Sequence, residues 1–236
     1  LSPLAVGKGL HLRHDTCAMT SVDLRARWFP VAAGSDLPFR HVCHAELLGQ
    51  ELAVWRADDG YVNAWENRCL HRGVRLTLGN NLGDALKCQY HGWTYASRTS
   101  GCTYIPAHPE NAPARLICNK VFPAVERYGL VWSRLEGDDS MDAMAELEGV
   151  SPLALRGIPV KVPAARVVDA LAGDGAERLS DFMLRLRDIG LVLLVQPVND
   201  ARSIIRGVVH GVAEADRIAV LRRHNERLSG VRDRVE

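Results

Sequence analysis

The chain has 236 residues, which is long enough for one large domain or two small ones. Its 29 Lys and Arg residues almost balance its 28 Asp and Glu residues, so the overall charge gives no reason to expect nucleic acid or an anionic membrane as a partner. The longest strongly apolar run, from Ile189 to Val195, is far too short to cross a bilayer. The six cysteines are too few for a disulfide framework and no signal peptide is recognisable, so we expect a cytoplasmic protein.

The first half of the chain is predicted to form a compact β domain. Residues 1–24 have no clear hydrophobic period and are interpreted as an N-terminal arm. From 25 to 136, short runs rich in Val, Leu, Trp and Tyr alternate with Gly, Pro and Asp-Gly turn signals, which is typical of antiparallel strands. The segment AVWRADDGYVNAWE, residues 53–66, predicts a hairpin that turns at Asp58-Asp59-Gly60.

The second half has a different pattern. Residues 137–152 are acidic and then rich in turn formers, which is typical of a linker. Residues 153–236 mix apolar runs with helical periodicity and predict a small α+β domain. Within it, LVLLVQPV and RSIIRGVVHGV predict two buried strands.

Two helices are predicted in this second domain. Over residues 175–190, the spacing of apolar side chains indicates one helical stripe, formed by Leu179, Phe182, Met183 and Leu186. Near the end of the chain, a second stripe predicts a helix whose buried face carries Ile218, Leu221, Leu228 and Val235.

Two cysteine–histidine pairs are the main candidates for chemistry: Cys69 with His71, and Cys88 with His91. Thiolate and imidazole ligands suit zinc, copper and iron–sulfur centres, so the ligand types alone leave the metal open. A zinc knuckle usually needs at least two residues between paired ligands, whereas one residue separates the first pair. Two loops that each give one sulfur and one nitrogen suit a two-iron cluster with both cysteines on one iron and both histidines on the other.

The motif CLHRG, a 16-residue spacer between His71 and Cys88, and the motif CQYHGWTY resemble the Rieske signature in its oxygenase-associated form. Rieske proteins of respiratory complexes typically carry an extra cysteine in each loop, and those cysteines form a disulfide that is absent here. The resemblance covers residues 25–136. It implies a mainly β Rieske domain of stacked antiparallel sheets with two cluster-binding loops, and a [2Fe–2S] cluster held by Cys69, His71, Cys88 and His91.

Several neighbours of the ligands are expected to shape the site. The glycines would let the backbone approach the cluster so that amide groups can bond to sulfur, and the aromatic side chains, Tyr95 included, would shield it. Arg72, with Arg75, is a candidate for a surface that docks an electron partner. The residues predicted to surround the ligands are Arg72, Gly73, Tyr90, Gly92 and Trp93.

A second metal site is not expected in this chain. Rieske oxygenases hold a mononuclear iron with Asp-x-x-His-x(4–5)-His in a long catalytic domain, and none of the later histidines, His108, His210 and His224, follows that motif. We interpret His210 as a strand residue and His224 as part of the solvated face of a helix, and we assign no catalytic residue.

A more specific resemblance concerns residues 39–79, FRHVCHAELLGQELAVWRADDGYVNAWENRCLHRGVRLTLG. They resemble the N-terminal Rieske portion of large reductases that serve N-demethylating Rieske oxygenases. The chain would then be a fragment or a stand-alone relative of such a reductase, without its flavin, nicotinamide and ferredoxin modules. Residues 153–236 would correspond to the segment that follows the Rieske portion, or to a cut-down remnant of the oxygenase catalytic fold.

The sequence therefore predicts an electron-transfer protein or module that serves a bacterial Rieske non-heme iron oxygenase system, either demethylating or ring-hydroxylating. Its expected partners are a flavin or ferredoxin reductase as electron donor and a non-heme iron oxygenase as acceptor. An oxidoreductase component is favoured over a complete monooxygenase or dioxygenase. Two alternatives stay open: a catalytic oxygenase component whose mononuclear iron site is truncated or completed by a partner, and a non-redox zinc-binding scaffold.

Overall fold

The structure, a computed structural model, describes residues 24–110, 116–187 and 190–236. The predicted N-terminal arm lies outside the described residues except for its last position, Leu24. The described chain is built mainly from antiparallel strands, so the predicted mainly β fold with a small α+β portion is confirmed. Neither helix of the described residues is both long and apolar enough to cross a bilayer.

The described residues of the first half of the chain form three small sheets. One has the strand order β2-β3-β4-β9, the second β5-β6-β7-β8 and the third β1-β11-β10. The strands are β1 (Phe29–Ala33), β2 (Val42–Leu47), β3 (Gln50–Arg56), β4 (Val62–Glu66), β5 (Asn80–Asn81), β6 (Ala85–Lys87), β7 (Thr94–Ala96), β8 (Cys102–Tyr104), β9 (Val121–Phe122), β10 (Ala124–Arg127) and β11 (Leu130–Ser133).

The predicted hairpin of residues 53–66 is confirmed as the β3–β4 pair. Its turn is held by the Asp59 carboxylate, which accepts a hydrogen bond of 2.9 Å from the Tyr61 amide, and Gly60 takes a φ of 86° there. Trp55 and Trp65 extend from the two strands and meet edge to face, with ring centroids 5.2 Å apart. Both rings are fully buried and join this sheet to the one that carries the cysteine loops.

The described residues of the second half of the chain form a sheet and two α-helices. The sheet has the order β12-β17-β16-β15-β14, and β13 also pairs with β17. Its elements are β12 (Leu153–Ala154), β13 (Ile158–Val160), α1 (Ala164–Gly173), β14 (Glu177–Arg178), β15 (Met183–Leu186), β16 (Leu191–Asn199), β17 (Arg202–Val209) and α2 (Arg217–Val235). The two buried strands predicted here are confirmed as β16 and β17.

This sheet is buried on both faces. Because strand side chains alternate, Leu193 and Ile205 point toward the helices and join the apolar core around Leu228. Leu194 and its neighbours on the opposite face pack instead against Trp132 of the first half of the chain. The sequences of β16 and β17 are apolar over long runs because both faces of these strands are buried.

The predicted helix over residues 175–190 is wrong. Its apolar residues lie in a hairpin, in which β15 pairs with β14 and with β16, and the helix of this region, α1, comes earlier. A short apolar segment fits both periods, and pairing with β16 satisfies its backbone while sending Leu184 and Met183 into the cores on opposite faces of the sheet.

The C-terminal helix is confirmed, but its buried face is shifted from the prediction. Leu228 is fully buried and Leu221 and Val235 are partly buried, whereas Ile218 is 73% exposed. His224 is 4% exposed and lies on the buried side, so its predicted place on the solvated face is wrong. The helix packs against β13 and α1.

Polar contacts tie the two halves of the chain together. The Glu46 carboxylate of β2 accepts hydrogen bonds from Asn199 at 2.9 Å and from Arg202 at 2.7 Å. Beside it, the β2–β3 turn donates from the amides of Leu48 and Gly49 to carbonyls near the end of β16. The division into domains at 25–136, 137–152 and 153–236 stays a prediction, because the two halves share one of the apolar cores.

We expect Leu228→Ala to lower the free energy of unfolding by roughly 2–5 kcal/mol, since it opens a cavity between α2 and the sheet. Urea unfolding followed by circular dichroism measures this change. Ile218→Ala on the same helix is the matched control and should stay within about 0.5 kcal/mol of the parent. Equal losses for both variants would contradict the placement of α2.

Candidate iron–sulfur site

Two loops with the same backbone geometry carry the predicted ligands. In the first ligand loop, residues 69–74, the amide of Cys69 donates to the Val74 carbonyl at 2.8 Å and the amide of Gly73 donates back to Cys69 at 2.8 Å. In the second ligand loop, residues 88–93, the corresponding bonds run from Cys88 to Trp93 at 2.8 Å and from Gly92 to Cys88 at 3.1 Å. The two loops therefore share one turn geometry, although one residue separates the cysteine and the histidine in the first loop and two residues separate them in the second.

Both loops need glycine at the fifth position. Gly73 and Gly92 adopt φ angles of 68° and 69°, in the left-handed region that strains residues with a Cβ. A Cβ on Gly73 would meet no atom within 4 Å, so backbone conformation alone selects glycine there. At Gly92 the ring of Pro106 is also 3.0 Å from the Cβ position.

The four predicted ligands lie together, with the sulfurs inside and the imidazoles outside. Cys69 and Cys88 are 3% and 2% exposed, and their thiols are close enough to hydrogen-bond to each other. His71 and His91 are exposed, and their ring centroids are 4.8 Å apart. The site thus offers a thiol pair and an imidazole pair, side by side.

The Cys88 sulfur receives two backbone amides. Burial raises the pKa of the Cys88 thiol, and the amide groups of Tyr90 and His91, which point at the sulfur, act in the opposite direction. Such amide contacts stabilise a thiolate and tune the potential of a cluster bound to it. The predicted approach of the backbone to sulfur is therefore present in the second ligand loop.

Tyr95 touches the other cysteine. Its hydroxyl lies 3.2 Å from the Cys69 sulfur. Burial, followed by contact with Cys69, raises the pKa of Tyr95, so its hydroxyl keeps its proton and can donate to a thiolate. The sequence predicts only a shielding role for this residue. Tyr95 lies on β7 and points inward, between the cluster loop and the core. Assigning this strand from the sequence would have revealed that position.

Aromatic rings fix the imidazoles. Trp93 stacks on His71 with centroids 4.9 Å apart and an interplanar angle of 3°, and the Tyr90 ring lies 3.8 Å from that of His91. Loss of solvent around the ring, and then His91 and Arg72, lowers the pKa of His71. That shift favours neutral imidazole, which is the form that binds metal.

Buried asparagines that the sequence did not single out hold the first ligand loop. The Asn67 side chain accepts a bond of 2.9 Å from the Thr77 amide. Asn119, from a distant segment, donates to the carbonyls of Glu66 at 3.0 Å and Arg68 at 3.1 Å. Their partners are backbone groups of irregular loops, so these roles follow from the fold rather than from a motif.

The two arginines predicted for docking behave differently. Arg75 makes a two-armed ion pair with Glu51, at 2.5 and 3.2 Å. Arg72 is exposed next to His71. Only Arg72 thus presents its charge at the edge of the site, and Arg75 is held against the sheet.

The donor set fits a [2Fe–2S] cluster. Each iron of such a cluster needs two protein ligands beside the bridging sulfides, and the site supplies one sulfur pair and one nitrogen pair. Among the described residues, no group of three or more His, Cys, Asp or Glu side chains is arranged around a single metal ion. His210 is bonded instead to the Leu147 carbonyl at 2.9 Å, just after β17.

Comparisons with known proteins agree with this geometry. The family model of the Rieske [2Fe-2S] domain matches residues 27–126. The oxidoreductase NdmD of Pseudomonas putida is 56% identical over 117 residues, which cover 50% of this chain and 20% of that protein. The methylxanthine N1-demethylase NdmA of the same organism is 40% identical over 128 residues, 50% of this chain and 34% of that protein.

Solved structures extend the likeness beyond that domain. The crystal structure of dicamba monooxygenase has a TM-score of 0.67 at 18% identity, and the match covers 84% of this chain and 81% of that chain. At this identity the likeness concerns the fold alone. The sequence matches span only a fifth to a third of the length of the two curated relatives.

Residues 27–126 are therefore a Rieske [2Fe-2S] domain, a class that binds a [2Fe–2S] cluster. Within that class, the match to the oxidoreductase NdmD confirms the resemblance predicted from residues 39–79 to the Rieske portion of a larger oxidoreductase.

We expect Tyr95→Phe to lower the reduction potential of the bound cluster. The hydroxyl stabilises the extra negative charge of the reduced state, and a neutral hydrogen bond of about 1 kcal/mol corresponds to roughly 40 mV for one electron. Spectroelectrochemistry measures the potential. Tyr104→Phe, at an exposed position of β8, is the matched control. A potential unchanged in Tyr95→Phe would contradict the bond to Cys69.

His71→Cys should retain a cluster with a markedly lower potential. A thiolate adds negative charge where neutral imidazole stood, and all-cysteine clusters lie well below Rieske centres. The same titration, with visible absorption to verify cluster content, measures the shift. An intact cluster with the parent potential would exclude His71 as a ligand.

Proposed function

We propose that this domain carries single electrons within an oxygenase system, with Cys69 and Cys88 on one iron and His71 and His91 on the other. The observation that carries the proposal is the arrangement of buried thiols behind exposed imidazoles. A bound cluster supplies one-electron redox chemistry, and the protein residues set where the electron can leave.

The surrounding side chains suit a relay. Trp93 and Tyr90 hold the two imidazoles in fixed orientations, so little reorganisation accompanies electron transfer. The Cys69 side is covered by Tyr95 and the core, which excludes water from the sulfurs. The outer ring nitrogens of His71 and His91 remain at the surface, where a partner can approach within a short distance.

The proposed partners are redox proteins on both sides: a flavin or ferredoxin reductase as donor and a non-heme iron oxygenase as acceptor. The names of the relatives, an oxidoreductase and a methylxanthine N1-demethylase, support a place in such a system. The aligned segments are a small part of those proteins, so the reaction and substrate served by this domain belong to the same proposal.

For residues 153–236 we propose a reduced version of an oxygenase catalytic fold that serves as a scaffold. The structural likeness to dicamba monooxygenase covers 84% of the chain, well beyond the Rieske match, which supports this origin. The space between sheet and helices is filled by Leu193, Ile205 and Leu228. An apolar interior of this kind suits a support for the Rieske domain.

A basic, partly apolar surface surrounds the imidazoles. We define the cluster face as Leu70, His71, Arg72, Tyr90 and His91. Leu70 and Tyr90 are 45% and 58% exposed. Arg72 adds a positive charge beside the imidazoles, whereas the nearby Arg68 and Arg75 are paired with Glu51. Such a face fits an electron partner with an acidic rim around an apolar centre.

Metal and sulfide analysis of the purified protein tests the proposed function. We expect two irons and two sulfides per chain and uptake of one electron per chain on reductive titration. Three irons per chain would favour a catalytic oxygenase component, and zinc without sulfide would favour a non-redox scaffold; either result would overturn the proposal.

The cluster face is expected to steer anions toward the electron exit. Arg72→Glu should slow oxidation of the reduced domain by ferricyanide by roughly 3-fold or more at low ionic strength and accelerate oxidation by tris(phenanthroline)cobalt(III). Stopped-flow absorbance measures both rates. Arg223→Glu, an exposed position on α2, makes the same charge change as a control. Equal effects of the two variants would contradict an exit at the cluster face.

A further inference from the structure

A buried arginine lines a cavity between the two halves of the chain. Arg206 lies on β17, on the sheet face turned toward the Rieske domain, and only 5% of it is exposed. The cavity has a volume of about 600 Å³ and is bounded by β2 on one side and by β13, β17 and the end of α2 on the other. It lies apart from the loops of the iron–sulfur site.

The hydrogen bonds of Arg206 go to neutral groups. Its Nε donates to the Pro30 carbonyl and to the Gln196 side chain, each at 3.0 Å, and its Nη2 donates to the Val31 carbonyl at 2.6 Å. Among the described residues, no carboxylate forms a salt bridge with it and no acceptor bonds its Nη1. A desolvated cation is costly, and burial lowers the pKa of Arg206 to about 10. The charge of Asp36 acts in the opposite direction, but its carboxylate bonds the Ala33 amide and not the guanidinium.

The acidic groups of the cavity have other partners. Glu46 is bonded to Arg202 at 2.7 Å, and Asp233 to Arg232 at 2.7 Å. Each of these pairs is neutral overall. The Glu236 side chain, which also lines the cavity, accepts a bond of 2.8 Å from the Lys161 amide, so none of the three carboxylates bonds Arg206.

The rest of the lining is mixed, and its polar part includes His44, Lys161 and Ser203. Another part of the wall is formed by aliphatic side chains from both halves of the chain. They are Val31, Ala45, Val160, Val198 and Ile204. A bare inorganic anion would leave these walls facing water, whereas an organic acid would cover them and place its carboxylate at the guanidinium.

We propose that this cavity binds a small organic monocarboxylate, with the carboxylate on Nη1 of Arg206 and the hydrocarbon part against the aliphatic walls. The ligand would contact strands of both halves of the chain and complete the interface between them. The proposal is independent of the electron-transfer role, since it involves none of the residues of the two ligand loops.

Isothermal titration of the cluster-loaded protein with sodium benzoate tests this site, with benzyl alcohol and inorganic phosphate as comparison ligands. We expect saturable benzoate binding that is at least roughly tenfold tighter than that of either comparison ligand, because only benzoate has both the charge and the ring. No saturable benzoate binding, or phosphate binding as tight as benzoate, would overturn the proposal.

Two variants locate the binding. Arg206→Gln should weaken benzoate binding by roughly ten- to a hundredfold, the loss expected for a charge-assisted bond. Ile204→Trp fills the cavity while keeping Arg206 and its backbone bonds, and it should abolish binding even if Arg206→Gln does not fold. Arg223→Gln on the exposed side of α2 is the control. Binding that survives in a folded Ile204→Trp would place the ligand elsewhere.

Discussion

The paired backbone turns of the two ligand loops are the constraint on which the site depends. In each loop a cysteine amide and a glycine amide close the chain on itself, so that a thiol points inward and an imidazole outward. The left-handed conformation of Gly73 and Gly92 makes that closure possible. The aromatic contacts, the anchoring asparagines and the hairpin sheets stabilise this arrangement. Because the turns place both sulfurs inside and both imidazoles outside, the site suits a [2Fe–2S] centre.

The sequence predicted those features of the site that depend on residues close together in the chain. The spacing of Cys69, His71, Cys88 and His91 was enough to bring these residues together and to favour a two-iron centre over a zinc knuckle. The role of Tyr95 needed the strand that turns it toward Cys69, and the role of Asn119 needed a contact across 51 residues with Arg68. Tertiary contacts of this kind leave no local pattern.

The fold also divides into features that the local sequence predicts and features that only tertiary contacts define. The Asp58–Gly60 hairpin and the long apolar strands were predictable because turn chemistry and burial act over a few residues. The helix predicted for residues 175–190 was wrong because the apolar spacing there fits a helix as well as a strand. Pairing with β16 decides in favour of the strand. Burial of His224 depends on how α2 lies on the sheet, and the bonds of Arg206 reach back 175 and 176 residues to β1.

The domain thus combines a locally encoded metal site with a support that only the whole fold defines. In the proposed arrangement both cysteines bind one iron and both histidines bind the other, so the two irons of the cluster would have different ligands. Mössbauer spectroscopy of the oxidised, iron-57-loaded protein measures this difference most directly. We expect two quadrupole doublets of equal area with distinct isomer shifts, one for the sulfur-bound and one for the nitrogen-bound iron. A single doublet from equivalent irons would contradict the assignment of both histidines to one iron.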